Sequence, residues 1–117
     1  MRIAIVDDCE NERNELCKRL SQSSFSRSYD IEICEYNSGT DFLNEAMQNR
    51  FDLVFMDIYM SGMNGTDTAS LMRRSDNRVI LIFLTSSPDH MKDAFNVHAF
   101  HYIEKPISRE RMYCCLD

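Results

Sequence analysis

The chain has 117 residues, 44% of them apolar and 27% charged, proportions that fit one compact domain and leave no room for a second. Asp plus Glu number 19 against 13 Lys plus Arg, a formal charge of -6, which repels polyphosphate backbones and argues against direct nucleic-acid binding. The longest apolar run, Val79 to Leu84, is six residues, too short to cross a bilayer, and Met1 to Val6 is too short for a secretory segment.

In chain order, Ile3 to Val6 reads as a first strand and Glu10 to about Leu20 as a helix with a narrow apolar stripe, Leu16 and Leu20 standing four apart. Ile31 to Tyr36 alternates apolar residues with acids and reads as an exposed edge strand. Ser38 can cap the next helix, whose Phe42, Leu43, Ala46 and Met47 are predicted to face the core. Leu53 to Met56 is fully apolar, as an interior parallel strand should be, and the glycines of Ser61-Gly62-Met63-Asn64-Gly65 mark a turn before a helix around Asp67 to Arg74. Val79 to Leu84 is the strongest strand signal. Asp89 to Asn96 gives a short helix, Ala99 to Ile103 a fifth strand, and Pro106 opens a last helix that is expected to be truncated at Asp117.

Strands alternating with helices, without repeat or linker, predict a single α/β domain over residues 1–117: a flavodoxin-like, doubly wound parallel sheet of five β/α units, strand order 2-1-3-4-5. Ligands of such sheets bind outside the carboxyl ends of the strands. Five cysteines (Cys9, Cys17, Cys34, Cys114 and Cys115) form no Cys-x-x-Cys spacing, which fits a reduced, cytoplasmic compartment without disulfides or zinc.

Just past the strands stand Asp7 and Asp8, Asp57, Thr85 and Lys105. Carboxylates crowded at one edge oppose each other's ionisation, so three of them are stable mainly around a hard divalent cation, and magnesium is the natural guest. Lys105 and the Thr85 hydroxyl suit phosphoryl oxygens. Asp57, between a buried strand and a glycine-containing loop, is then the candidate nucleophile for a phosphoryl group, with Asp7 and Asp8 as metal ligands, directly or through water.

These residues carry a resemblance. Val6-Asp7-Asp8, Met56-Asp57-Ile58-Tyr59-Met60 with Gly65 eight residues after Asp57, Leu84-Thr85-Ser86 and Lys105-Pro106 together resemble the CheY-like receiver domain of bacterial two-component response regulators, over essentially the whole chain. Ala94-Phe95 followed by Ala99, Tyr102, Lys105 and Pro106 is similar to receivers joined to LytTR-type DNA-binding domains.

The resemblance implies a phosphorylated signalling switch rather than an enzyme, with magnesium-dependent transfer from a sensor histidine kinase onto Asp57. It implies that Asp8 binds the metal directly, Asp7 through water, and that the Tyr59 carbonyl completes the protein ligands. Thr85 and Lys105 would hold the phosphoryl oxygens, and Tyr102 matches the family's aromatic switch. It further implies a usually cis Lys105-Pro106 bond, control of an attached C-terminal, DNA-binding output domain, and homodimerisation on phosphorylation. Ser61 stands where the family usually has proline, and His98 where it commonly has glycine. The resemblance further implies that Tyr59, together with Ser87, would screen water from the phosphoryl group.

Alternatives differ in chemistry. A haloacid dehalogenase-type aspartyl-phosphate hydrolase needs a second aspartate two residues after the first, where this chain has Tyr59. A flavin carrier needs a Ser/Thr/Gly-rich phosphate loop where Asp7-Asp8-Cys9-Glu10 stands. A receiver-like docking domain without phosphorylation would have no use for Asp7, Asp8, Asp57, Thr85 and Lys105 together. His98 and His101 are read as surface residues, Met56, Met60 and Met63 as gap fillers, and Cys9 as a small residue in a crowded turn.

Overall fold

Alternating β-branched runs and amphipathic stretches fold into strands β1 (Arg2–Val6), β2 (Glu32–Tyr36), β3 (Leu53–Asp57), β4 (Ile80–Thr85) and β5 (His101–Glu104). Between them run helices α1 (Glu10–Gln22), α2 (Gly39–Ala46), α3 (Gly65–Ser75) and α4 (Met91–Asn96). A computed structural model of the chain describes residues 1–22, 30–86 and 91–105. The expected last helix from Pro106, Pro106 itself, Ser87, Cys114 and Cys115 lie outside the described residues.

The five strands are parallel, in the expected order β2-β1-β3-β4-β5. Alternation along the strands makes two cores. Ala4, Val6, Val54, Met56, Leu81 and Phe83 point to one face, where Phe42 of α2 and Ala69 and Met72 of α3 cover them. Ile3, Ile5, Phe55, Ile82 and Leu84 point to the other, against Leu16 and Leu20 of α1. The two leucines predicted as a narrow stripe are the buried residues of α1.

Several boundaries differ from the sequence reading, each for a local reason. Asp57 and Thr85 end their strands instead of following them. Helix α3 starts before Asp67 because Asn64 caps it, its side chain accepting the Asp67 N–H at 2.8 Å. Ser38 caps α2 as expected, accepting the Asp41 N–H at 3.1 Å, but Met47 is the C-cap and 78% exposed rather than part of the core. Strand β5 starts at His101 and not Ala99, because residues 97–99 complete the end of α4. There the Ala99 N–H donates to the Ala94 carbonyl at 3.0 Å, and His98 takes the left-handed conformation with φ 55°. His98 thus occupies the kind of backbone position that glycine adopts most cheaply.

Register places the site. Val6 pairs with Met56, Asp57 with Leu84 and Thr85 with Glu104, so the ends of β1, β3, β4 and β5 come level at one edge. Behind Asp57, the loop returns through a Gly65 N–H bond to the Ile58 carbonyl at 2.8 Å. A Cβ on Gly65 would lie 2.1 Å from the Asp57 carbonyl oxygen, so only glycine permits the α3 start to pass this close to the acid.

Candidate functional site

Asp7 is held by its backbone and its side chain. Its N–H donates to the Tyr36 carbonyl at 3.1 Å, and its carbonyl accepts from Arg13 Nη1 at 2.6 Å. One carboxylate oxygen accepts the Cys9 N–H at 2.9 Å and the other the Lys105 ammonium at 2.8 Å. Lys105 is steered by the sheet as well, its N–H donating to the Thr85 carbonyl at 2.6 Å. Its Nζ lies 3.6 Å from Asp57 Oδ2 and also bonds Glu12 Oε2. Lys105 therefore bridges carboxylates from the end of β1, the end of β3 and the first turn of α1.

Asp7 and Asp57 are 4% and 6% exposed, and with Glu12 each offers an oxygen within 4.8 Å of the others. One ammonium does not balance three carboxylates at this spacing. Burial first, and then the Asp7 charge, push the Asp57 carboxyl up to about 7; Lys105 opposes this, while Glu12 and Asp8 reinforce it. Burial alone would lower the Lys105 ammonium, but its bonds to Asp7 and Glu12 and the Asp57 charge hold it well above the usual lysine range.

The predicted set is therefore partly assembled at the pocket. Asp7, Asp57 and Lys105 meet there. Asp8 is exposed and turned toward the loop after β3, where Oδ2 accepts the Ser61 N–H at 3.0 Å. A proline at position 61 would have no such N–H to donate. Thr85 is fully buried at the end of β4. Tyr59 is 47% exposed on the loop beyond Asp57. Tyr102 is half-buried beside its β4 neighbour Phe83, edge to face at 6.4 Å between ring centres.

Glu12 is the site residue that sequence reasoning missed. In the sequence it is an ordinary acid in a helix first turn, where it also complements the helix dipole. The available signal was its place one turn beyond Asp8, on a helix that starts at the site edge.

An all-oxygen, carboxylate-rich donor set with a deficit of positive charge fits a small hard dication that keeps several waters. Cys9, Cys17 and Cys34 are free thiols. Among the described residues no helix is long and apolar enough to cross a membrane.

A family model described as the response regulator receiver domain matches residues 3–116. The chain is 34% identical over 113 residues to the sensory transduction protein LytT of Bacillus cereus, covering 96% of this chain and 44% of that protein. It thus spans less than half the length of this curated relative. Among solved structures, the response regulatory domain of protein MrkE from Klebsiella pneumoniae superposes with a TM-score of 0.86 at 26% identity, covering 99% of this chain and 92% of that one. The response regulator TrrA of Thermotoga maritima, solved in complex with Mg(2+)-BeF, superposes with a TM-score of 0.79 at 27% identity, covering 95% and 91%.

Proposed function

The chain belongs to the response regulator receiver domain family, and from that membership we propose that it is a phosphoacceptor switch in which Asp57 receives a phosphoryl group from the phosphohistidine of a sensor histidine kinase. The observation that carries this reading is the meeting of Asp7, Asp57 and Lys105, from three strand ends, with both carboxylates buried and within ion-pair distance of the Lys105 ammonium. In the transfer, an Asp57 carboxylate oxygen forms the new P–O bond, the P–N bond to the kinase breaks, and the imidazole leaves with the bonding pair. Bound magnesium supplies charge neutralisation to the acids and to the phosphoryl oxygens. Asp8 and Asp57, the Tyr59 carbonyl and, through water, Asp7 are the protein groups we assign to hold it; Asp8 Oδ2 also accepts the Ser61 N–H.

Lys105 offers N–H donors to the phosphoryl oxygens, and the Thr85 hydroxyl offers another. Drawing Thr85 toward the phosphoryl group would open space beside β5 for Tyr102 to turn inward, a packing change that carries the signal to the face formed by α4 and β5. Tyr59, on the loop over Asp57, would limit the approach of hydrolytic water. LytT is more than twice as long as this chain, which supports a C-terminal output domain, DNA-binding in kind, as the target of the switch. The kinase and the phosphorylated homodimer complete the proposed partners, and the proposed location is the cytoplasm.

The test is direct. Incubated with magnesium and acetyl phosphate, the protein should gain a single phosphate by intact mass, and Asp57→Ala should gain none. Steady release of phosphate from esters would instead favour the hydrolase, and no adduct at all would favour docking without phosphorylation.

A further inference from the structure

Lys105 is arranged for a competition. An ammonium has three N–H donors. One bonds Asp7 at 2.8 Å and one bonds Glu12, whereas Asp57 Oδ2, at 3.6 Å, is within ion-pair range but beyond a good hydrogen bond. The cation is thus drawn to the α1 side of the pocket. The side chain of Lys105 is 15% exposed and that of Glu12 47% exposed. Water can therefore reach the glutamate more readily than the ammonium, which depends on protein oxygens.

We infer that Glu12 is a positioning residue for Lys105, holding its ammonium toward Asp7 and α1 so that a phosphoryl group on Asp57 competes with Glu12 for the cation beyond what its third N–H supplies. This deepens the proposed function and rests on it. Asp7 keeps its Cys9 N–H bond whichever way the ammonium points; the Lys105 bond is the one a phosphoryl oxygen would replace at Glu12. Charge-assisted bonds are the strong ones, and breaking one here opposes capture of the phosphoryl group. Glu12 would set how readily the switch takes up and keeps its phosphoryl group without touching that group.

The probe is beryllofluoride with saturating magnesium, an analogue of the phosphoryl group, titrated into the full chain. Glu12→Gln is expected to bind it about two- to fivefold more tightly than the parent protein, as weakening of one partly exposed charge-assisted bond to the competing lysine predicts. In a Lys105→Met background the same substitution should change the affinity little, because Glu12 acts through the lysine. An equal gain in both backgrounds would mean that the Glu12 charge acts directly on the anion, and would overturn the inference, as would an unchanged or weaker affinity.

A second readout does not depend on phosphoryl chemistry. The Lys105 Nζ resonance of the parent protein should show slowly exchanging ammonium protons, and Glu12→Gln should speed their exchange. An unchanged exchange rate in Glu12→Gln would overturn the restraint. Failure of the parent protein to bind beryllofluoride would count against the phosphoacceptor reading, and the ammonium signal would still decide the restraint.

Discussion

Arg2, at the amino end of β1, and Lys105, just past the carboxyl end of β5, each stand among several carboxylates, with different results. Arg2 joins three elements: its N–H donates to Asp52 Oδ2 at 2.8 Å, its guanidinium donates to the Arg50 carbonyl and pairs with Glu32 and Glu45 at 3.6 and 3.7 Å, and it stacks 4.5 Å from the Phe51 ring centre. The side chains of Glu32 and Glu45 are 66% and 39% exposed, so water solvates what the arginine does not reach. Around Lys105 two of the three carboxylates are buried, and among the described residues Lys105 is the one cation within ion-pair distance of them. The amino end is electrostatically satisfied and structural. The carboxyl end retains an unbalanced negative charge, which a dication and a phosphoryl chemistry can use.

The largest expected effect lies at the carboxyl end. Asp57→Asn should abolish the magnesium-dependent phosphate adduct altogether and, without metal at pH 8, stabilise the protein by about 1–2 kcal/mol in urea denaturation, since it removes a buried charge that lacks compensation. A loss of stability would mean that the acids are already balanced and would break the contrast between the ends.

At the amino end the opposite pattern is expected. Arg2→Ala should lower the urea midpoint, because it removes the aliphatic packing on Phe51 together with the ties to Arg50, Glu32 and Glu45. The yield of phosphate adduct at a temperature where the variant is folded should stay unchanged; a parallel fall in yield would make the two ends one coupled unit.

A pH series sharpens the comparison. The Asp57 carboxyl rises from 3.8 to about 7 on folding, so the folded state holds that proton more tightly than the unfolded chain. Its contribution to stability is fully present below about pH 4 and is lost as pH rises through about 7. Without metal, the urea midpoint should therefore fall across that window by the equivalent of about 1–2 kcal/mol after allowance for solvent screening. Millimolar magnesium should flatten the fall, and Asp57→Asn should remove most of it.

The smallest effect expected is at the loop. Ser61→Pro removes the N–H that Asp8 accepts and should raise magnesium affinity about two- to threefold by calorimetry, the net worth of one neutral donor to a partly solvated carboxylate. A lower affinity would indicate that Ser61 orients Asp8 for the metal rather than restraining it.

Much of this was determined by the residues in order. The wholly apolar Leu53 to Met56 and the branched run through Leu84 could only be interior strands, because a parallel sheet covered on both faces excludes polar side chains there. Asp7, Asp57 and Thr85 were legible because a polar residue at the end of such a run has one place to go. Gly65 was legible as a turn residue, though only its 2.1 Å clash with the Asp57 carbonyl shows why no side chain is tolerated. Tertiary structure decided the rest. Periodicity reports which face of an element is apolar but not how far a charged side chain reaches across space, so the pairing of Lys105 with Glu12, 93 residues away in sequence, had no local signature. The same limit explains why Asp7 enters the pocket while Asp8 faces the Ser61 N–H. Successive residues leave a strand on opposite sides, and the loop that meets each of them is placed by the packing of the whole fold.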